Sequence, residues 1–388
     1  MSLIETKMQN LRVNSDLDKN MARPSRYGAL DLFVEQSYAR DGIITDELRE
    51  RAFAANGREV QIPVIDYDGE VTISNVRSCD IADDENTSKL VNVTFATYAW
   101  GFTMVPTLYD NNEIRIQKDW ERKFLKYLYK LADTLDAGAV AALSANKTQV
   151  FKELLTYTRA GNSVQVPWVQ REDALADFDA MMAANDYFGR MHIVGNAGIQ
   201  ALVTKLAQHG LYNDVDKRNE YLNKIFHFTN NVANESSAYA SGYAVEHSNV
   251  GMLFRVDREA LHRTDLGPMG EWDVSTLPVL NIPVGTFFKD SVGDYSGIAG
   301  AASADMKCVH KEHYGFSVDV AYMVAYNSDP AEIANPIMKF DILKSTMTPV
   351  TTIPVQVVNP TESPVTTIPV QAVNPTESPV NTKEVAGA

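Results

Sequence analysis

Between Ile116 and Leu143, apolar side chains recur at three to five residue steps: Trp120, Phe124, Leu128, Leu131, Leu135 and Val140. That spacing is one face of an α-helix. Lys118, Asp119, Glu121, Arg122, Lys123, Lys126 and Lys130 fill the intervals and predict a solvated opposite face. At 1.5 Å per residue the helix runs roughly 40 Å, well beyond the usual three or four turns. A helix of that length braces a bundle, a coiled coil or an elongated subunit.

Ahead of it the period is two. Val60, Ile62 and Val64 alternate with polar residues, Asp66-Tyr67-Asp68-Gly69 supplies turn chemistry, and Val71, Ile73 and Val76 alternate again. Two such runs around an Asp-Gly turn predict a β-hairpin. Leu90 to Phe102, rich in Val, Thr, Phe, Tyr and Trp, predicts a third strand. Residues 1–55 are weakly periodic and read as an extended arm with short helices over Asp31–Tyr38 and Thr45–Ala55.

Behind the long helix, Asn162–Trp168 is a short β-prone connection and Arg171–Asn185 a helix with Leu175, Phe178, Met181 and Met182 on one face. Arg190–Val194 reads as a strand, Gly195-Asn196 as a turn, and Ile199–His209 as a helix that Gly210 closes. Leu211 to Met306 reads as irregular, with short strands. Phe316, Val318, Val320, Tyr322, Val324 and Tyr326 then share one face of a strand, and Ile337–Leu343 is another. The fold class is α+β.

Past Lys344 the composition breaks. Residues 350–364 recur almost letter for letter at 365–379, with Val357 replaced by Ala372. Three prolines per repeat forbid a helix and interrupt any ladder. The segment 346–388 reads as an extended appendage of the polyproline type.

Composition narrows the function classes. With 45% hydrophobic and 22% charged residues, the 388-residue chain has enough apolar material for a sizeable core. A formal charge of −15 argues against a broad nucleic-acid-binding surface. It leaves room for a container whose wall does not grip its contents. Cys79 and Cys308 are too few for a disulfide framework. The N-terminus has no apolar signal region, and no stretch reaches the ~18 apolar residues of a membrane span.

Catalytic and cofactor motifs are absent from the sequence. There is no phosphate loop, no G-x-G-x-x-G, no G-x-S-x-G, no H-E-x-x-H and no C-x-x-C. Gly293, Gly297 and Gly300 lack the strand-turn-helix setting of a nucleotide cradle and read as a loop. The weak metal candidates are Cys308, His310 and His313, three ligand types within six residues that still lack a fourth ligand. On a strand, Cys308 and His310 share a face that His313 does not. The acidic run Asp80, Asp83, Asp84, Glu85 lacks calcium-loop spacing and reads as solvated. His192, His209, His227, His247 and His262 are scattered and read as structural. No catalytic residue and no cofactor is assigned.

The order of arm, long hairpin, long helix, mixed centre and late alternating strand resembles the major capsid proteins of tailed bacteriophages, the Hong Kong 97-type fold. Arg190–Asn196, Leu277–Gly285, Tyr314–Val320 and Tyr326–Pro330 are similar to stretches in Bacteroidetes-phage and crAss-like phage capsid proteins. The resemblance spans about residues 25–343. It implies an N-arm at 1–55, an extended β-hairpin loop at 56–105 reaching over a neighbour, and a peripheral domain with spine helix at 106–189. An axial domain at 190–312 follows, then a return to the peripheral domain at 313–345.

It further implies a shell protein without enzymatic activity, assembled in the host bacterial cytoplasm as hexamers and pentamers into the virion's icosahedral capsid. The expected partners are further copies of itself, a separate scaffolding protein, a portal and decoration proteins, around DNA held without sequence-specific binding and with no membrane. Asp66, Tyr67, Asp68, Gly69 and Glu70 at the hairpin tip are the candidate subunit-interface residues. The repeat tail has no counterpart in the family core. Two other readings compete: another virion component such as a tail, decoration or adhesion protein, and an enzyme centred on Cys308, His310 and His313.

Overall fold

The computed structural model describes residues 3–14, 27–40, 42–54, 59–65, 88–109, 113–206, 220–221, 224–256, 270–278, 280–293, 308–325 and 334–345. The chain divides into two units, Met1–Ser345 and Thr346–Ala388, and every described residue belongs to the first. The repeat tail, the tip Asp66–Glu70, the run from Val71 to Val76, the acidic residues Asp80 to Glu85, Gly210 and Tyr326 lie outside the described residues.

Three helices come first: α1 (Leu3–Asn14), α2 (Gly28–Ser37) and α3 (Asp46–Ala54). Strands β1 (Glu59–Ile65), β2 (Ser88–Thr94) and β3 (Ala96–Met104) lead to the long helix α4 (Glu113–Ala145). Next come β4 (Thr158–Ala160), β5 (Ser163–Val166), α5 (Ala174–Ala183), β6 (Met191–Gly195) and α6 (Ala197–Leu206). Then follow β7 (Glu220–Tyr221), β8 (Lys224–Phe228), β9 (Ala238–Glu246), β10 (Val250–Arg255), β11 (Glu271–Thr276) and β12 (Pro283–Gly293). The last two strands are β13 (Val309–Val324) and β14 (Ile337–Leu343).

The 33-residue α4 extends the predicted helix by a few residues at both ends and measures about 50 Å. All six stripe residues are buried. They lie on a five-stranded sheet ordered β10-β13-β12-β11, with β3 added along the other flank of β13. The contact is an aromatic pile: Trp120 on Phe124 (5.0 Å between centroids), Phe102 on Tyr314 (5.4 Å) and Trp100 on Phe316 (5.5 Å). Offset ring pairs of this kind add about 0.5–1.5 kcal/mol each beyond area burial. From α1, Ile4, Met8 and Leu11 close the same core.

A seven-stranded sheet, β4-β5-β14-β9-β6-β8-β7, carries the second core. Helices α5 and α6 pack on it through Leu175, Phe178, Met181, Ile199 and Leu202, with Phe178 and Phe340 at 4.5 Å. Each sheet draws strands from both sides of residue 190.

Several expectations need correction. Among the described residues the partner of β1 is Ser88–Thr94, paired antiparallel; the expected return strand from Val71 is not described. The single strand expected over Leu90–Phe102 is two strands in two different sheets, broken at Phe95. Phe95 is buried among Ile44, Leu48, Ala52, Leu253 and Ala321, and the chain changes sheet around that anchor. The stretch 211–306, expected to be irregular with short strands, contains β7 to β12, of which β9 has 9 residues and β12 has 11. Its strands hide because β8 and β10 are buried on both faces and show no alternation. Strand β13 starts at Val309, seven residues before the alternating run. The α5 region is a shorter helix than Arg171–Asn185, and a helix at 3–14 was not expected.

Candidate functional site

Strands β1 and β2 form a sheet of their own, in register from Glu59↔Thr94 to Ile65↔Ser88. Seven residue pairs span roughly 24 Å. At the near end Val93 rests on the small core around Phe95, Ile44 and Leu48. No third strand joins the ribbon among the described residues. The candidate interface residues Asp66, Tyr67, Asp68, Gly69 and Glu70 continue directly from Ile65 at the far end, outside the described residues.

The metal candidates are not brought together. Cys308 is exposed and precedes β13, with a positive φ of 56°. Five residues of extended chain, roughly 16 Å, separate it from His313. His310 Nε2 lies 2.5 Å from Asp290 Oδ1 on β12. Both ring nitrogens of His313 are engaged, Nδ1 with Thr103 Oγ1 (2.9 Å) and Nε2 with Ser291 Oγ (2.8 Å). Burial and the charges of Lys289 and Lys311 push the His313 pKa below the usual imidazole value. No group of three His, Cys, Asp or Glu with metal-binding geometry occurs among the described residues.

Two polar clamps that local sequence reading missed hold α2 in place. At its start, Asp136 of α4 is fully buried and accepts the Leu30 backbone N–H (3.0 Å), the Thr229 hydroxyl and the Asn231 amide (2.7 Å). Desolvation raises the Asp136 pKa, and these hydrogen bonds partly offset the rise. Gly28 makes the approach to β8 possible, since a Cβ there would stand 2.4 Å from the Phe228 backbone nitrogen.

At the other end of α2, Ser37 Oγ accepts the Met252 N–H (2.7 Å) and Gln36 Oε1 accepts the Ser248 N–H (2.8 Å). The Gln36 amide nitrogen faces a stack of three imidazoles. His192 Nδ1 lies 3.0 Å from His227 Nε2, and His192 Nε2 lies 2.9 Å from His247 Nδ1. These histidines, scattered in sequence, are neighbours because β6 pairs with both β8 and β9. Only the sheet register could have shown that.

A hollow of about 190 Å³ lies between α2 and the β11–β12 connection, lined by Leu30, Asp31, Val34, Glu35, Leu280 and Asn281. It is smaller than the ~300–1,000 Å³ of a typical small-molecule site.

No family model matches the chain, and no curated protein does. Among solved structures it is similar to the capsid of cyanophage P-SCSP1u, at 12% identity and a TM-score of 0.40 over 74% of this chain and 84% of that one. The capsid of an empty GTA particle is similar at 12% identity and 0.40, over 75% and 86%. The capsid of Ralstonia phage GP4 is similar at 12% and 0.40, over 76% and 85%.

Proposed function

We propose that this chain is a major capsid protein of a tailed phage, a Hong Kong 97-type subunit that assembles into the icosahedral shell enclosing double-stranded DNA. The observation that carries the reading is the β1–β2 ribbon. A two-stranded sheet is marginally stable in water on its own; among the described residues no third strand joins this one, and its hydrophobic contact with the body is Val93 at the near end. A neighbouring copy is the natural support for the rest of it, with Asp66, Tyr67, Asp68, Gly69 and Glu70 at the contact.

On this reading residues 1–55 are the N-arm and 56–105 the extended loop. Residues 106–189 with the spine helix make the peripheral domain, 190–312 the axial domain, and 313–345 return to the peripheral domain. The subunit works as hexamers and pentamers, with separate scaffolding, portal and decoration proteins, and carries out no catalysis. Its net charge of −15 suits a wall that encloses nucleic acid without binding particular sequences.

Negative-stain microscopy and size distribution of the purified full chain, alone and co-expressed with a scaffold, test the proposal. Hexamers, pentamers, sheets or shells are expected; a monomer under all such conditions rejects it. Replacing residues 66–87 by a short Gly-Ser link should leave a folded monomer that no longer assembles. Shells formed by that variant would remove the ribbon tip from the contact.

A further inference from the structure

The three imidazoles described above form a continuous chain on one face of the seven-stranded sheet. Ring centroids lie 5.2 Å apart at both steps, with interplanar angles of 25° and 15°. His192 is fully buried and His227 is 9% exposed. At the His247 end, the Gln36 amide nitrogen is 3.1 Å from His247 Nδ1 and 3.3 Å from His192 Nε2. Three nitrogens therefore meet in a triangle with sides of 2.9 to 3.3 Å. The Gln36 orientation is set by its oxygen, which accepts the Ser248 N–H. Its nitrogen can only donate.

With neutral rings, each supplying one N–H and one lone pair, both ring–ring links can be hydrogen bonds, and the Gln36 amide donates to whichever ring nitrogen of the triangle bears the lone pair. An added proton places a charge in a buried stack. Two added protons leave links in which both nitrogens donate and neither accepts. The charged groups around the stack offer no relief. Arg190, at the entry to β6, carries the same sign as an imidazolium. Glu246, on β9, is turned to the Gly189 N–H (2.7 Å) and the Asn249 amide (2.8 Å). From α2 the facing group is the neutral Gln36. Arg49 of α3 reaches the Ser37 carbonyl at the end of the same helix, again a positive charge.

We propose that the His192–His227–His247 stack is a proton-gated latch, holding the C-terminal end of α2 on the sheet at neutral pH and releasing it in mild acid. The latch is a property of the single chain and does not depend on assembly. Burial, then the neighbouring rings and Arg190, push His192 down to about 2, and burial takes His227 down to about 4. Exposed imidazoles titrate near 6.5. Released rings therefore bind protons that latched ones refuse, and the latched state loses ground as pH falls below about 6.5, progressively towards 4. Across the interval from pH 7.5 to 5.5 each ring contributes about tenfold, so two give about a hundredfold. Asp136, at the other end of α2, has a raised pKa and works in the opposite direction, gaining stability as pH falls. Loosening in this window belongs to the histidines.

Hydrogen exchange read by mass spectrometry on the full chain, corrected for intrinsic rates, tests the latch. Between pH 7.5 and 5.5, peptides over residues 28–38 should lose about a hundredfold in protection while those over 174–183 hold theirs. Unchanged protection over 28–38, or equal loss in both, overturns the proposal. In His227→Gln the amide nitrogen stands where Nε2 stood and does not titrate. The loss over 28–38 should then shrink to about tenfold, and a full hundredfold loss in that variant also overturns the latch. If His227→Gln does not fold, the contrast between the two regions of the unmodified chain decides.

Discussion

Helices α4 and α2 touch the same core and are held by opposite chemistry. The long helix lies on the five-stranded sheet through rings and aliphatic side chains, with Trp120, Phe124 and Leu128 meeting Phe102, Tyr314 and Phe316. The short one also buries Leu30, Leu32 and Phe33, but its two ends are fixed by buried polar groups: Asp136 at Leu30, and Gln36 and Ser37 at the other. Apolar packing has no direction and tolerates small shifts. A buried hydrogen bond is directional, and losing one partner leaves the other desolvated and unpaired. The first mode anchors and the second sets position.

Four substitutions test that contrast, beginning with the most damaging. Leu128→Pro should abolish folding: proline inside a helix costs about 3 kcal/mol or more and the lost leucine about 2–5 kcal/mol. Circular dichroism showing an intact helix would mean that α4 is not the organising element. Phe124→Ala should lower stability by about 3–5 kcal/mol in denaturant titration. A cost near 1 kcal/mol would make the aromatic pile ornamental.

Asp136→Ala strands the Leu30 N–H, the Thr229 hydroxyl and the Asn231 amide, and should cost about 3 kcal/mol. It should also selectively loosen residues 28–38 in hydrogen exchange, which Phe124→Ala should not. Equal behaviour of the two variants would erase the distinction between anchoring and positioning. Arg51→Ala breaks an ion pair with Glu47 at 2.6 Å in which both side chains are more than half exposed. The expected change in Tm corresponds to less than about 0.5 kcal/mol, because exposed pairs gain little over water.

The same contrast explains what could be read from the letters alone. An apolar stripe is local: Trp120 to Val140 announces α4, and the alternation from Phe316 announces the second half of β13. Ile337–Leu343 came out with its bounds intact. Strands buried on both faces give no period, so β8 and β10 could not be placed individually within a stretch expected to hold short strands. The break at Phe95 is a tertiary event, invisible in a run of good strand formers. His192, His227 and His247 looked scattered because what unites them is sheet register. The three residues that did look clustered, Cys308, His310 and His313, are drawn apart by the extended geometry of β13 and engaged elsewhere. For the ribbon, β1 was expected, but its described partner is Ser88–Thr94 and not the stretch after Gly69.

One residue separates the ribbon from the five-stranded sheet. Strand β2 ends at Thr94 and β3 begins at Ala96, with Phe95 seated in the small core between them. There is no slack on that side. A displacement of β2 passes through this one aromatic residue into β3, and from β3 along the pairing with β13 that underlies the long helix. The ribbon and the five-stranded sheet are thus coupled on the β2 side through how firmly one phenylalanine is gripped.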